Sequence, residues 1–227
     1  GRSSIDNPIY TRRGSQFTLS AQFTPPYSLF SKKDYKSLYE SSSRADREEL
    51  YRWIEYYKIK FKSRVYTPLN NSEKYTLVLM GRADFGLLGS YNKYKQTPFE
   101  TFHVGGDGMT GSYTYATETI GLRGYDNGAL TPYSDGRAYT RFSMELHFPF
   151  LLQPSSTIYG LAFVEGGNAW TSLENFNPFS LKRSAGVGVR IFLPMIGLMG
   201  IDWAYGFDKV QGEKGGGHFH FILGQEF

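Results

Sequence analysis

Four residues near the middle of the chain, Leu122-Arg123-Gly124-Tyr125, put a cation beside a glycine at the end of a long stretch rich in Gly, Thr and Tyr. Two acids further on, Glu165 and Asp202, fall on the charge-bearing faces of alternating segments. A carboxylate held away from water needs a partner, because an unpaired buried charge is costly. Arginine, with five planar donors, can bridge more than one acceptor. From residue types alone, Arg123 is either an exposed cation on a surface turn or a plug tying a folded-back loop to Glu165 or Asp202.

The other constellations offer less chemistry. The absence of cysteine removes disulfides, thiolate nucleophiles, Cys-ligated zinc and iron–sulfur clusters. His218 and His220 share a strand face and could touch one metal, but no third ligand stands beside them at metal spacing. They read as polar lining, and no metal is expected. Gly106-Asp107-Gly108-Met109-Thr110-Gly111 matches the dinucleotide fingerprint, yet residues 112–119 are rich in Ser, Tyr and Thr where that motif opens a helix. It reads as a flexible glycine loop. No Gly-x-Ser-x-Gly elbow and no local Ser/His/Asp set occur. Neither an enzyme nor a cofactor is expected.

The elements that must position these residues are strands. The chain has 227 residues, room for one domain or two small ones. Its 25 Lys+Arg against 21 Asp+Glu leave a diffuse +4, unlike the concentrated basic patch of a nucleic-acid binder. The 18 Phe, 18 Tyr and 26 Gly favour β structure. Period-2 alternation marks residues 16–23, 58–65, 76–85, 137–148, 158–165, 184–193, 201–207 and 218–227, about eight strands. In all eight, one face is free of charge, and every charge that occurs lies on the other. A soluble sandwich would turn the apolar face to its core, and an outer-membrane barrel would turn it to lipid. Alternation alone does not choose. Strand lengths above the usual 5–6 residues and a chain that ends inside a strand, on Phe227, favour the barrel. The longest charge-free apolar run, 191–201, contains Pro194 and is far shorter than the ~20 residues of a membrane helix. Connections at 153–156 and 194–197 are short. Those at about 25–55 and 100–136 are long, and Leu50, Trp53, Ile54 and Tyr57 predict a short amphipathic helix over 45–57. Short turns at one end and long loops at the other is how outer-membrane barrels are built.

The motifs in order resemble the carboxy-terminal half of BamA-type barrels, in the superfamily of outer-membrane assembly and two-partner-secretion pores. Leu122-Arg123-Gly124-Tyr125 is similar to its Val/Leu-Arg-Gly-Phe/Tyr loop motif. Residues 163–170 resemble its Phe-x-Asp-x-Gly-x-x-Trp strand, with Glu165 in place of Asp. Gly200-Ile201-Asp202-Trp203-Ala204-Tyr205 resembles the penultimate strand, residues 219–227 resemble the closing strand, and Tyr10-Thr11-Arg12-Arg13-Gly14-Ser15 resembles the turn that opens the second half. The resemblance spans essentially the whole chain.

The resemblance implies an all-β, antiparallel transmembrane β-barrel, with this chain supplying half of about sixteen strands. A chain that opens Gly1-Arg2-Ser3 without Met reads as part of a longer or processed protein, the POTRA domains and the amino-terminal half-barrel lying outside it. By the same resemblance Arg123 docks on Glu165 with Asp202 nearby, and Leu122, Gly124 and Tyr125 hold the loop inside. Phe219, Phe221, Leu223 and Phe227 face lipid at the closing seam, which Gly224 weakens. The implied function is folding and insertion of β-barrel precursors into the bacterial outer membrane by lateral opening and strand templating. Implied partners are outer-membrane lipid, unfolded precursors, accessory assembly proteins, and the missing half-barrel or a second copy. Two alternatives stand beside it: a two-partner-secretion pore whose lumen is lined by Lys58, Lys60, Lys62 and Arg64, and a soluble ligand-binding β-barrel.

Overall fold

A computed structural model describes residues 1–227 except 73–74, 109–117, 132, 134, 154, 213–214 and 225–227. The elements run β1 (Arg2–Ser3), β2 (Gly14–Phe23), α1 (Tyr27–Phe30), α2 (Tyr35–Glu40), α3 (Arg44–Tyr51), β3 (Tyr57–Pro68), β4 (Val78–Gly89), β5 (Phe102–Val104), β6 (Glu118–Ile120), β7 (Ala138–Gln153), β8 (Ser156–Trp170), β9 (Lys182–Leu193), β10 (Gly197–Gly206) and β11 (Gly217–Leu223). One nine-stranded antiparallel sheet holds β1-β2-β3-β4-β7-β8-β9-β10-β11 in that order, each long strand beside its neighbour in sequence. The sheet is open, with β1 and β11 at its edges. Each of the eight alternating segments falls on a strand of this sheet, the last as far as Leu223, with 225–227 outside the described residues. The short β1 and the parallel pair β5–β6 inside the long loop have no counterpart in the alternation.

Which face lies inside is decided by burial. Lys58, Asp84, Arg141, Glu145, Glu165, Arg190 and Asp202 are buried on the concave face. Leu19, Val65, Met144, Val164, Val187, Ile201 and Phe221 stand exposed on the convex face. A soluble protein does the reverse. The arrangement fits a wall whose outside meets hydrocarbon and whose inside is polar. Among the described residues no helix is long and apolar enough to cross a membrane.

The concave face is filled by the chain's own loops. After β4 the chain folds back inside, where Phe102 of β5 packs edge-on to Tyr139 of β7 at 4.7 Å, within a cluster of Leu88, Val104 and Ile120. Glu118 of β6 meets the lysine stripe of β3, with Lys60 Nζ at 2.8 Å, Lys58 Nζ at 3.2 Å and Lys62 Nζ at 3.6 Å. At the short-turn end, residues ahead of β2 also turn inward. Tyr10 donates its hydroxyl to the Thr76 carbonyl at 2.6 Å and packs edge-on against Tyr159. Gly14 opens β2 with φ 121°, and a Cβ there would lie 2.3 Å from the Ser4 carbonyl oxygen.

The long connection between β2 and β3 corrects one expectation. The helix α3 ends at Tyr51, short of the span 45–57. Tyr57 already pairs with Phe23 and Gly89, and Tyr56 exchanges hydrogen bonds with Thr24, so the hairpin ladder takes the residues that helical spacing had claimed. Trp53 packs on Tyr27 instead.

Two outcomes are expected. Val187→Lys, near the middle of the convex face of β9, should destabilise the whole protein in bilayers by about 2–4 kcal/mol, whereas an exposed site on a soluble protein would change by no more than about 0.5 kcal/mol; urea unfolding in vesicles separates them. The second concerns Glu118. Burial pushes its carboxyl up, but the hydrogen bond from Lys60 and the charges of Lys60, Lys58 and Lys62 outweigh this and hold it below its ordinary value of 4.5. A depressed carboxyl stabilises fully above the ordinary value and loses that contribution as pH falls through the native one. Amide-exchange protection of β5 and β6 should therefore persist at about pH 6 and fall at about pH 3, and Glu118→Gln should abolish the difference.

Candidate functional site

The site is the inner wall where the long loop docks. It is built by strands whose inward rows alternate with lipid-facing ones, so acids two residues apart in the pattern share one face. Glu145 of β7, Glu165 of β8 and Asp202 of β10 point into the same space, and Arg123 enters it from the loop.

Arg123 is buried and reaches all three carboxylates. Its Nη1 donates to Asp202 Oδ2 at 2.9 Å, its Nη2 to Glu165 Oε1 at 2.6 Å, and the same Nη2 to Glu145 Oε1. Its backbone N–H donates to Glu165 Oε2 at 2.9 Å. Glutamate at position 165 thus holds both the main chain and the side chain of Arg123, one oxygen to each. The guanidinium lies 3.5 Å above the Phe163 ring, a cation–π contact from the residue two places before Glu165 on the same inward row.

The acids are shared with the wall. Arg141 Nη2 and Ser143 Oγ each donate to Glu165 Oε1 at 3.1 Å. Arg190 makes a two-point pair with Asp202, at 2.5 and 2.8 Å. His147 Nε2 lies 2.9 Å from Glu145 Oε2. Three guanidinium groups therefore meet three carboxylates, and the cluster is close to neutral. Glycines make the room: a Cβ on Gly188 would lie 1.7 Å from Asp202 Oδ1, and one on Gly200 would lie 2.7 Å from Arg190 Cδ.

The other motif residues dock on different strands. Leu122 is fully buried, bridges Gly106 of the glycine loop, and lies against Gly167 of β8. Gly124 has φ 88°, and its N–H donates to His220 Nε2 of β11 at 2.9 Å. A Cβ on Gly124 would lie 2.8 Å from Ser184 Cβ and 3.0 Å from the Gly206 nitrogen. Tyr125 donates its hydroxyl to the Arg183 carbonyl of β9 at 2.6 Å. Arg183 in turn clasps Asp208 beyond β10 through two nitrogens, at 2.9 and 3.1 Å, and that hydrogen bonding holds the Asp208 carboxyl below its usual range. Four consecutive residues thus tie the loop to β7, β8, β9, β10 and β11.

The histidines are engaged separately. His220 accepts from Gly124, while His218 Nδ1 lies 3.2 Å from Asp126 Oδ1. Of the glycine loop, Gly106 is paired with Leu122, and 109–111 lie outside the described residues. On β11, Phe219, Phe221 and Leu223 project from the convex face. Gly224 follows with φ 88° and donates its N–H to the Leu198 carbonyl at 2.7 Å. Phe227 lies outside the described residues.

Sequence reasoning placed Arg123, Glu165 and Asp202 as partners and the structure brings them together. It missed Glu145, Arg141, Arg190, Phe163 and the acceptor role of His220. The signal for the first three was their place on the charged rows, but choosing among those rows needs the inter-strand register: Glu145 faces Phe163, and Gly188 faces Asp202.

Arg123→Ala leaves three carboxylates short of their bridge, and truncating one partner of a buried ion pair costs about 3–5 kcal/mol. The expected result in the whole protein is a lower unfolding temperature and protease cleavage within 100–136. Gly124→Ala should do the same through strain and overlap, at about 1–3 kcal/mol. Unchanged melting and protease resistance in both would remove the docking role.

Against known proteins, the Omp85 superfamily domain matches residues 1–227. Among solved structures, the crystal structure of BamA from Haemophilus ducreyi lacking POTRA domains 1-3 superposes on 96% of this chain and 39% of that one, with a TM-score of 0.63 at 19% identity. The chain thus spans about two fifths of the length of that protein, and at this identity the likeness is one of fold. With the family match running over every residue of an open, polar-inside β-sheet, the chain belongs to the Omp85 superfamily.

Proposed function

We propose that this chain is the carboxy-terminal half-barrel of an outer-membrane assembly factor that folds and inserts β-barrel precursors by opening laterally and templating their strands. The observation that carries the reading is the contrast between the sheet's centre and its carboxy-terminal strand. The centre is long and doubly tied: β7 and β8 have 16 and 15 residues, and the Arg123 cluster is anchored on both. At the sheet's carboxy-terminal side the described span of β11, Gly217–Leu223, carries no carboxylate or guanidinium of the cluster, and a positive-φ glycine, Gly224, follows it directly. A strand that releases its neighbour offers its row of N–H and C=O groups as a template for an incoming strand. Phe219, Phe221 and Leu223 keep that edge facing lipid while His220 holds its inner side to the loop.

In this mechanism the loop keeps the wall in register while the seam opens. Arg123, Gly124 and Glu165 act as positioning residues, and no bond chemistry is involved. The membership in the Omp85 superfamily and the BamA-like fold support an outer-membrane location and work on membrane polypeptides. The lysine stripe counts against the export-pore alternative as first framed, since Lys58, Lys60 and Lys62 are paired to Glu118 of the inward loop rather than facing an open channel.

Depletion of the whole protein in its cell, followed by quantification of the outer-membrane proteome, tests the proposal. A broad fall across unrelated barrels is expected. Loss of one secreted polypeptide with the barrels intact would overturn it in favour of a dedicated export pore.

A further inference from the structure

The turn between β9 and β10 breaks the usual chemistry of a hairpin. Leu193 pairs with Gly197, the Ile196 N–H donates to the Leu193 carbonyl at 3.0 Å, and Gly197 has φ 95°. This is a tight three-residue loop closed by a glycine in the left-handed region, with Pro194 setting its first corner. Such tips are normally Asn, Asp, Ser or Gly. Here they are Met195, 99% exposed, and Ile196, 64% exposed. At the other turns of this end the described tip residues are polar: Asn70, Asn71 and Ser72 between β3 and β4, flanked by exposed Leu69 and Tyr75, and Ser155 between β7 and β8. No charge occurs anywhere in 191–201.

The tip continues an apolar surface already on the convex face. Val187, Val189, Ile191 and Leu193 form the outward row of β9, and Ile201 and Trp203 lie on that of β10. At the other end of β9 the same row holds Arg183, exposed and paired with Asp208, which must sit in water above the hydrocarbon. Ten residue steps run from Arg183 to Leu193. At about 3.3 Å per step and a tilt of about 40° they rise about 25 Å, the height of the apolar band of an outer-membrane barrel. Leu193 therefore reaches the far edge of the hydrocarbon, and the tip lies just beyond it, at headgroup level.

We propose that the β9–β10 tip is a lipid anchor, with Met195 and Ile196 buried among the acyl chains and headgroups of the leaflet at the short-turn end. The tight turn projects both side chains at little further entropic cost, because Pro194 and the paired Gly197 fix its backbone. The anchor pins the hairpin next to β11, so the membrane is gripped one strand away from the sheet edge. Its insertion depends on the lipid-facing band and is independent of what the barrel assembles.

The chain has no cysteine, which makes a single introduced thiol addressable once any in the rest of the protein are replaced. Met195→Cys in the whole protein carries an environment-sensitive NBD fluorophore, in vesicles of phosphatidylethanolamine and phosphatidylglycerol. Asn71→Cys at the polar turn is the control, Ile196→Cys is a second probe of the tip, and heat-shifted gel migration verifies folding. The expected result is blue-shifted emission at 195 and 196, with quenching by acyl-chain nitroxide lipids several-fold stronger than at 71. Aqueous emission equal to that at 71 would overturn the proposal. So would shielding that develops only after an unfolded barrel precursor is added, which would make the tip a polypeptide-binding surface.

Discussion

Charge enclosed by a β-wall is the constraint on which the rest of this molecule depends. The sheet shows its apolar face to the outside, so the interior inherits the carboxylates and guanidinium groups of every inward row. Removing a carboxylate from water costs several kcal/mol unless a cation with good geometry meets it. The wall's own Arg141 and Arg190 serve Glu165 and Asp202, but Glu145, Glu165 and Asp202 still converge on one space. Arg123, delivered by the loop, completes that space. Its planar fork reaches three acids on three strands, which a lysine's single ammonium would not do with the same geometry.

That need dictates where the long loop goes. It is held by two locks of opposite polarity. At one, an acid of the loop, Glu118, meets a basic strand, β3. At the other, a base of the loop, Arg123, meets an acidic wall. Between them Phe102, Val104 and Ile120 pack on Leu88 and Tyr139, forming a small apolar core inside a polar lumen. Swapping the two attachment sites would set like charges against each other, so the pairing specifies register as well as stability. Gly124 then makes the close approach possible: a side chain there would strike β9 and β10 backbone and side-chain atoms.

The same economy leaves the sheet edge weak. The carboxylates of the cluster lie on β7, β8 and β10, and β11 adds His220 against Gly124 and His218 against Asp126. In the proposed assembly role this separates two duties, with the docked loop keeping shape and the last strand exchanging partners. The apolar tip between β9 and β10 fits the same division, fixing the neighbouring hairpin in the membrane.

Much of this was written in the residue pattern. Alternation located every long strand, because a two-faced wall imposes period 2 wherever it is crossed. Residue types alone left Arg123 either on a surface turn or docked inside, and the resemblance of the ordered motifs to a known family pointed to its pairing with Glu165 and Asp202. Helical spacing failed at Trp53, Ile54 and Tyr57, where the β2–β3 ladder and the Tyr27 contact outweighed local periodicity. Which face of the sheet lies inside, and the presence of Glu145, Phe163, Arg141, Arg190 and His220 around the motif, were decided only by the tertiary structure. Alternation is symmetric under exchange of the two faces, and contacts across strands depend on a register that no single strand carries.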